Sequence, residues 1–534
     1  MPTGAALVVD ALLAAGVEQL FTLSGNQILS VYDAAIGTPL ALYHTRHEAS
    51  AVHMADAVAR LTDRPGVALV TAGPGHLNAL SALYGALMEE SPVVLLSGAS
   101  PRGQRGLGAF QEIDQAAAAR PITKAAWVAE DAARLGDDMA RALEIAVSGR
   151  PGPVHLSLPG DLLEASVSAT APAVPSAPAR VATSETLVSQ MLALLAEAKR
   201  PVIIAGAGMA RGPRWLGVQR LARSVAAPAL PSGSPRGVND PWLRGANACL
   251  ARADLVVLLG KPLDFSLRFG RSPAFAADCR FVHVTAEPAP PNARVTLTVV
   301  ADPTTVAEQL ASAARGRTWP ETGWADEVTR VRAATPPAWQ TLRESPRTPM
   351  HPLAVCAALQ PLVDGGGVLV VDGGEFGQWV QAGVDAPRRL INGPSGSIGS
   401  AIPMAIAARL VHRDRPVIAA LGDGTFGFHP FELDTALRYG LPIVAVVGND
   451  ARWNAEHQLQ LQHYGAGRAV ACSLLPTRYD RVAEALGGHG EHVERPEQLA
   501  PALARAVASG KPAVVNVVID GVAAPTFGTG SAAH

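Results

Sequence analysis

The sequence predicts an α/β protein built from three doubly wound, parallel-sheet domains. Three observations lead to this prediction: the length, the alternation of apolar runs with helical patterns, and two proline-rich stretches. The chain has 534 residues, which at typical domain sizes of roughly 100–200 residues suggests about three domains. Hydrophobic residues make up 48% and charged residues 17%, so a chain of this length can bury large cores.

The predicted strands are short, continuous apolar runs. They are Val67–Val70, Val93–Leu96, Val202–Ala205, Leu255–Leu259, Val368–Val371, Val417–Leu421, Ile443–Val447 and Ala513–Val518. Patterns with apolar residues at spacings of three and four, such as Ala49–Leu61 and Phe431–Tyr439, predict helices between them. Continuous apolar strands between helices indicate parallel sheets covered on both faces, where ligands bind beyond the carboxyl ends of the strands.

Two proline-rich stretches predict the domain boundaries. The first runs from Ala165 to Ser184 and the second from Ala333 to Met350. Such compositions resist packing, so linkers are expected there. The resulting domains cover residues 1–165, 185–332 and 350–534.

Charge and cysteine usage exclude several classes of protein. The formal net charge is −2 and basic residues form no run, so no nucleic-acid partner is expected. We expect no membrane partner, because no apolar run approaches 18 residues and the N-terminus lacks the basic start of a signal peptide. The four cysteines, at positions 249, 279, 356 and 472, form no CxxC pair, which favours a reducing cytoplasm over a disulfide framework or zinc site.

The most informative segment runs from Val417 to Trp453. A predicted strand leads into Gly422-Asp423-Gly424-Thr425, and the next strand leads into Asn449-Asp450. Glycines let a backbone approach a phosphate closely, and magnesium prefers hard oxygen ligands shared with phosphates. Parallel strands would bring Asp450 beside Asp423 although 27 positions separate them. The alternative is an ordinary strand–turn–helix with a Gly-Asp-Gly turn.

This segment resembles that of the thiamine-diphosphate enzymes, in particular the group of acetolactate synthases, benzaldehyde lyases and 2-hydroxyacyl-CoA lyases. The resemblance implies that Asp423, Asp450 and the backbone carbonyl of Arg452 ligate Mg²⁺. The residues implied to contact thiamine diphosphate here are Gly422, Gly424 and Thr425. Asp450 stands where the family usually has asparagine, and it adds negative charge. The three domains would then be pyrimidine-binding, middle and diphosphate-binding.

Glu48 is the predicted catalytic acid. It opens a helical pattern, where acids are favoured for helix-start reasons alone. The surrounding sequence TRHEASAVHMADAVARLTDRPGVALVTAGPGHLNAL resembles the first domain of the same enzyme group. There this glutamate exchanges a proton with the aminopyrimidine of the cofactor, which leads to the reactive ylid. In that family the acid and the diphosphate site come from different subunits, which implies a homodimer or homotetramer.

A third motif resembles the loop that bends the cofactor. It reads NGPSGSIGSAIPMAIAAR, and Ile398 aligns with the bulky residue that wedges under the cofactor. The resemblance implies that the carbonyl of Gly396 accepts a hydrogen bond from the cofactor's amino group. A Gly/Ser loop before a buried helix is the alternative. Upstream, Gly374 lies in a stretch where the family contacts the diphosphate, and an acid at Glu375 would repel phosphate.

The substrate pocket is predicted from four loops. Gln27 aligns with the catalytic histidine of benzaldehyde lyase, and glutamine can orient a carbonyl but cannot relay a proton. His76 is either an acid/base near neutral pH or a helix-start histidine. Phe110 and Gln111 lie in a loop resembling the AFQE loop of acetolactate synthases and 2-hydroxyacyl-CoA lyases, and Trp453 follows the metal motif as part of the roof.

The middle domain has a weaker signal. Gly206 and Gly208 follow a predicted strand, as in a nucleotide-binding loop, but close helix packing explains such glycines equally well. Acetolactate synthases bind FAD in this domain through an arginine, and here Pro262 takes its place. The CoA-handling relatives bind an ADP-like group in the same region. Both FAD and an ADP-like nucleotide stay open.

The function implied by the resemblance is that of a carboligase or lyase of acetolactate-synthase type. It would make or break a carbon–carbon bond next to a carbonyl, through a ylid and an enamine. The small-molecule substrate would be a keto acid or a hydroxy ketone. The nearest alternative is a 2-hydroxyacyl-CoA lyase or a relative of oxalyl-CoA decarboxylase, acting on an acyl-CoA. The alternatives from another class are a non-catalytic cofactor-binding protein and a flavin oxidoreductase.

Overall fold

A computed structural model describes residues 1–168, 174–176 and 179–526. The chain forms two compact units: a larger one with the N-terminal and C-terminal sheets, and a smaller one with the middle sheet. Every pairing between strands of these three sheets is parallel, and helices flank each sheet, which confirms the predicted fold class. Among the described residues, no helix has the length and apolar character needed to cross a membrane.

The N-terminal sheet has six strands in the order β2-β1-β3-β4-β6-β5. The strands are β1 Gln19–Thr22, β2 Ala41–His44, β3 Gly66–Val70, β4 Val93–Ala99, β5 Ala125–Val128 and β6 Val154–Pro159. The helices are α1 Gly4–Ala14, α2 Leu29–Ala35, α3 Glu48–Thr62, α4 Pro74–Met88, α5 Gln115–Ala119, α6 Leu135–Val147 and α7 Gly160–Glu164.

The middle sheet has five strands in the order β11-β10-β9-β7-β8. The strands are β7 Pro201–Gly206, β8 Ala229–Ser232, β9 Leu255–Leu259, β10 Arg280–Thr285 and β11 Val295–Val300. The helices of this part of the chain are α8 Glu185–Glu197, α9 Gly212–Ser224, α10 Ala246–Leu250, α11 Pro303–Ala313, α12 Trp324–Ala333 and α13 Ala338–Arg343.

The C-terminal sheet has six strands in the order β13-β12-β14-β15-β17-β16. The strands are β12 Val368–Asp372, β13 Arg389–Ile391, β14 Val417–Gly422, β15 Val444–Asn449, β16 His489–Val493 and β17 Ala513–Val518. The helices are α14 Pro352–Asp364, α15 Gly374–Gly383, α16 Ala401–Val411, α17 Asp423–Phe426, α18 Glu432–Arg438, α19 Asn454–Tyr464, α20 Tyr479–Ala485 and α21 Pro496–Ala508.

The N-terminal and C-terminal sheets share one apolar core. Helix α3 packs against α16, and buried residues of both helices belong to the same cluster. Polar bonds join the two parts as well: Arg46 N–H donates to Glu432 at 2.9 Å, and Arg60 donates to the carbonyl of Ile391 at 2.9 Å. The start of α3, where Glu48 lies, is therefore firmly held against the C-terminal part of the chain.

The predicted strands are present, most of them one or two residues longer than the apolar runs. Within the second predicted linker, the structure has one short helix, α13. Ala338–Arg343 follows Pro336-Pro337 and buries Trp339, so one helical turn gains a packing partner inside the proline-rich stretch. The first predicted linker lies partly outside the described residues. The exact domain boundaries remain predictions.

Candidate active site

A pocket opens at the carboxyl ends of β12, β14 and β15, where an open parallel sheet binds ligands. It encloses about 440 Å³, counting its open mouth. The predicted residues that line it are Gly374, Ile398, Gly422, Asp423, Gly424, Thr425, Asp450, Arg452 and Trp453, and Glu375, Phe376 and Glu456 line it as well. Three separate sequence motifs therefore meet in one place.

Asp423 and Asp450 converge in this pocket, as the strand reasoning predicts. Asp423 begins α17 directly after β14, and its Oδ2 accepts the backbone N–H of Arg452 at 3.2 Å. Arg452 and Ser473 form an antiparallel β-bridge. The backbone hydrogen bonds of this bridge are made by Ala451 and Trp453, the two residues next to Arg452. In such a pair, the N–H and C=O of the bridging residue point away from the partner, so the carbonyl of Arg452 faces the side of Asp423.

Burial dominates the electrostatics of these two carboxyls. It raises the pKa of Asp423 to about 6. Burial also raises the pKa of Asp450 to about 7, and the neighbouring charge of Asp423 adds to the effect. Two buried carboxylates side by side are stable in the ionised form only with a compensating positive charge. Two carboxylates and a backbone carbonyl are the hard oxygen donors that suit Mg²⁺.

The backbone around the pocket has the shape that a phosphate group needs. Gly373 has φ of +62°, and a Cβ there would collide with the hydroxyl of Thr425. A Cβ on Gly422 would meet no atom within 4 Å, so the backbone after β14 is open to a ligand. The first residues of α15, Gly374 to Phe376, line the pocket, and the N-terminus of a helix favours an anion. A diphosphate bridged to a divalent cation therefore fits the pocket.

The loop before α16 brings Ile398 to the pocket. Asp372, the last residue of β12, holds this loop: its Oδ2 accepts the N–H groups of Gly399 at 2.8 Å and Ala401 at 3.0 Å, and the hydroxyl of Ser400 at 3.2 Å. Burial raises the pKa of Asp372 to about 6, although these donors oppose the effect. Gly396 lies two residues before Ile398 and has φ of +68°.

Glu48 lies at a different place in the chain's larger unit. It is buried at the start of α3, and Asn78 on α4 donates to its Oε2 at 3.0 Å. A Cβ on Gly75 would lie 3.3 Å from Oε1, so glycine keeps this space open beside the carboxyl. Glu48 is not among the described residues that line the Asp423 pocket. Within the described residues, the predicted acid and the predicted metal ligands therefore do not line this pocket together.

Comparison with known proteins decides the family. Models of the thiamine pyrophosphate enzymes match the chain in three parts: the N-terminal TPP binding domain over residues 2–118, the central domain over 188–310 and the C-terminal TPP binding domain over 372–517. The chain belongs to the thiamine pyrophosphate enzyme family. It is an enzyme of that family, and its relatives are synthases, lyases and decarboxylases.

Three relatives illustrate the range of this thiamine pyrophosphate enzyme's similarities. The acetolactate synthase large subunit of Mycobacterium tuberculosis is 35% identical, over 96% of this chain and 95% of the relative. The 2-hydroxyacyl-CoA lyase 1 of Mus musculus is 30% identical, over 97% and 94%. The oxalyl-CoA decarboxylase of Escherichia coli K12 is 31% identical, over 99% and 96%.

In this thiamine pyrophosphate enzyme, Gln27 and Gln111 are joined in one network. Gln27 donates to the side-chain oxygen of Gln111 at 3.0 Å and accepts from the hydroxyl of Thr71 at 2.5 Å. Gln111 has a left-handed backbone, with φ of +59°, and lines a cavity of the N-terminal domain. Phe110 beside it is 70% exposed. The predicted substrate residues of this loop therefore adjoin one another, whereas Trp453 lies in the Asp423 pocket.

His76 is fully buried inside the N-terminal domain. Its Nδ1 lies 2.9 Å from the hydroxyl of Ser97 on β4, and its ring lies 4.5 Å from that of His155 on β6. Burial lowers the pKa of His76 to about 4. A neutral histidine without exposure favours the structural interpretation over an acid/base at neutral pH.

The middle domain shows why its glycines are needed. A Cβ on Gly206 would collide with the carbonyl of Gly260, so the ends of β7 and β9 approach closely at this point. Close packing therefore explains Gly206 without a nucleotide. Lys261, a candidate for phosphate, is buried and forms an ion pair with Asp264 at 2.7 Å. Neither observation selects between FAD and an ADP-like group.

Several residues around the site escape the sequence reasoning. They are Thr71, Asn78 and Asn516, and the hydrogen-bonding roles of Asp372 and Asn449 escape it as well, although both residues lie within recognised motifs. Asn516 carries a visible signal, because it is a polar residue in the otherwise apolar run Ala513–Val518. Asn78 carries no such signal, because polar residues are common on helices and its partner Glu48 lies 30 positions away in the sequence.

Proposed function

We propose that this enzyme makes or breaks a carbon–carbon bond next to a carbonyl in a small keto acid or hydroxy ketone, in the manner of an acetolactate synthase. The observation that carries the proposal is the convergence of Asp423, Asp450 and the Arg452 backbone in a glycine-lined pocket. The similarity to an acetolactate synthase over nearly the whole length of both chains supports the choice of reaction.

We assign Mg²⁺ to the two carboxylates and the carbonyl of Arg452. A pocket with several acids would repel a diphosphate, so the cation is required to join them. Gly422, Gly424 and Thr425 at the end of β14, Gly374 at the start of α15, and Gly396 and Ile398 before α16 would hold the cofactor. When bound, thiamine diphosphate supplies a carbon nucleophile that attacks a carbonyl and stabilises the resulting electron pair.

Glu48 is the proposed proton-exchanging group. Its carboxyl would share a proton with the ring nitrogen of the aminopyrimidine, while Asn78 fixes the orientation of that carboxyl through Oε2. Gln27 and Gln111 would orient the substrate carbonyl, and Phe110 and Trp453 would contribute apolar walls. His76, which is fully buried and hydrogen-bonded to Ser97, would have a structural role.

The site is proposed to form between two copies of the chain, in a homodimer or homotetramer. What supports this is that Glu48 is not among the described residues that line the Asp423 pocket. The cytoplasm is the proposed location, since the four cysteines are buried free thiols.

A second candidate reaction is that of a 2-hydroxyacyl-CoA lyase or an oxalyl-CoA decarboxylase. Relatives with these names match this chain over 97% and 99% of its length. Benzaldehyde lyase activity is disfavoured, because Gln27 stands where benzaldehyde lyases have a histidine that relays a proton. An acyl-CoA substrate would require a site for its nucleotide, and the middle domain is the place to look for it.

The test is a turnover screen with pyruvate, benzoylformate, acyloins and 2-hydroxyacyl-CoA compounds, run beside a Glu48→Gln variant. Turnover of pyruvate or an acyloin by the wild type, with the variant slowed by about 10²- to 10⁴-fold, supports the first proposal. Release of an aldehyde from a 2-hydroxyacyl-CoA, with no reaction on the others, selects the second. Equal rates for Glu48→Gln and the wild type would contradict both.

A further inference from the structure

A buried pair of carboxamides lies behind the turn that carries Asp450. Asn449 is the last residue of β15, and Asn516 lies diagonally from it on the neighbouring strand β17, where Val518 is the residue directly opposite Asn449. The side chain of Asn449 donates to the side-chain oxygen of Asn516 at 3.1 Å. Asn516 is fully buried, and Asn449 is 5% exposed. A polar pair in the middle of a parallel sheet is stable only when its hydrogen bonds are satisfied.

Backbone partners fix the orientation of both amides. The nitrogens of Asn449 and Asn516 both donate to the carbonyl of Thr477, at 2.9 and 3.3 Å. A carbonyl only accepts, so neither amide can be flipped without losing a bond. The nitrogen of Asn516 also lies 3.2 Å from Nδ1 of His492 on β16. Asn516 thus uses its acceptor and both donors, a combination that aspartate or leucine cannot provide.

The oriented amide of Asn449 holds the turn that follows it. Its oxygen accepts the N–H of Ala451 at 3.2 Å. Ala451 has φ of +55°, a left-handed conformation that is unfavourable for a residue with a Cβ. This turn places Asp450 on one side of Ala451 and turns the backbone of Arg452 towards Asp423. The bond from Asn449 therefore stabilises the strained residue between two proposed metal ligands.

We infer that Asn516 is a positioning residue for the turn of residues 450–452, which carries two proposed metal ligands, and that it acts through Asn449. It touches neither the metal nor the substrate. It keeps the amide of Asn449 in the orientation that holds Ala451, and so it sets the spacing of Asp450 and the Arg452 carbonyl before a cation binds. The inference rests on the proposed function, because it concerns the affinity for the proposed Mg²⁺.

Replacement of Asn516 should therefore change the affinity for Mg²⁺ and leave kcat nearly unchanged. Partners behind metal ligands typically affect affinity about 10- to 100-fold. We expect Asn516→Leu to weaken Mg²⁺ binding by about this factor, measured in the presence of thiamine diphosphate. At saturating Mg²⁺ and cofactor, kcat should stay within about threefold of the wild type, because Glu48 and the substrate residues are unchanged.

The experiment is a calorimetric titration of metal-stripped, full-length protein with Mg²⁺ at fixed thiamine diphosphate. Val514→Ala is the matched control: Val514 is fully buried on the same face of β17 and belongs to the apolar core. It should lower thermal stability without changing the Kd for Mg²⁺. Asn516→Ser, which keeps the site small and polar but removes the carboxamide, serves if the leucine variant does not fold.

A double-mutant cycle with Asn449→Ser separates positioning from a general loss of stability. If Asn516 acts through Asn449, the second substitution adds little to the effect of the first on the Kd. Wild-type affinity in a folded Asn516 variant, or fully additive effects in the cycle, would overturn the inference alone. Failure of the wild type to bind Mg²⁺ and cofactor would overturn the proposed function, and the inference with it.

Discussion

At the scale of single residues, the account depends on how Glu48 is held. Its carboxyl is buried at the start of α3, and Asn78 bonds one of its two oxygens. A carboxyl that exchanges protons works efficiently only in a fixed orientation. The bond from Asn78 leaves Oε1 beside Gly75, where the absence of a side chain keeps space open.

Removal of this bond should slow the reaction without preventing cofactor binding. We expect Asn78→Ala to lower kcat about tenfold, the equivalent of one hydrogen bond of about 1.4 kcal/mol. The Kd for thiamine diphosphate should stay within about threefold. Steady-state kinetics and a cofactor titration measure the two quantities. Ser81→Ala, an exposed position three residues further along α4, is the control and should behave as wild type.

At the scale of elements, single carboxylates and histidines connect strands to the loops that build the site. Asp372 at the end of β12 fixes the loop that carries Ile398, through three donors. The rings of the buried histidines of α4 and β6 lie 4.5 Å apart, and the Gly73–Gly75 turn leads directly into α4. For Asp372, a fully buried polar group directly holds the loop that reaches the site.

The Asp372 contact predicts a specific defect in cofactor affinity. Asp372→Asn replaces a carboxylate by an amide, which presents an N–H₂ group where backbone donors converge. We expect the Kd for thiamine diphosphate to rise about tenfold and stability to fall by about 1–3 kcal/mol. Binding titrations and denaturant melts give these values. If Asp372→Asn and the exposed control Asp385→Asn bind the cofactor equally, Asp372 does not hold the loop in the way described.

The buried His76 predicts a dependence of stability on pH. Its pKa is lowered to about 4 by burial, whereas an unfolded chain has a value near 6.5. Between these values the unfolded state binds more protons, so stability is lost as the pH falls from about 6.5 to about 4. The loss amounts to about 3 kcal/mol. Melts across this range should show a shallower dependence of stability on pH for His76→Gln than for the wild type.

At the scale of the whole molecule, the proposal requires two copies of the chain for each site. Glu48 and the Asp423 pocket belong to one compact unit, yet Glu48 does not line the pocket within the described residues. The proposal therefore assigns the two groups of one site to two different copies of the chain. This claim can be tested without a structure of the assembly.

Two inactive variants should complement each other. Glu48→Gln and Asp423→Ala, mixed after dissociation and reassembly, would form dimers of which about half contain one copy of each. One of the two sites in such a dimer has both groups intact, so about a quarter of wild-type activity should return. Mixtures of each variant with itself are the controls. Continued inactivity of the mixed sample, with exchange of copies verified by mass, would place both groups in one chain.

The sequence predicts the apolar and motif-rich parts of this molecule well and the polar connections poorly. Strands such as β14 and β15 are continuous apolar runs, so their positions and parallel pairing are confirmed. The edge strand β16 reads His-Gly-Glu-His-Val and has no such pattern, because its first four residues are only partly buried. Likewise, Asp423 and Asp450 meet as strand order predicts, whereas Asn516 and Asn449 meet through a neighbouring strand 67 positions away.

The most direct test of the central claim is a titration of metal-stripped protein with thiamine diphosphate, with and without Mg²⁺. The account predicts binding by the wild type that requires Mg²⁺, no measurable binding by Asp423→Ala, and wild-type binding by Asp364→Asn, an exposed aspartate outside the pocket. Absence of binding by the wild type in the presence of Mg²⁺, or unchanged binding by Asp423→Ala, would contradict the account.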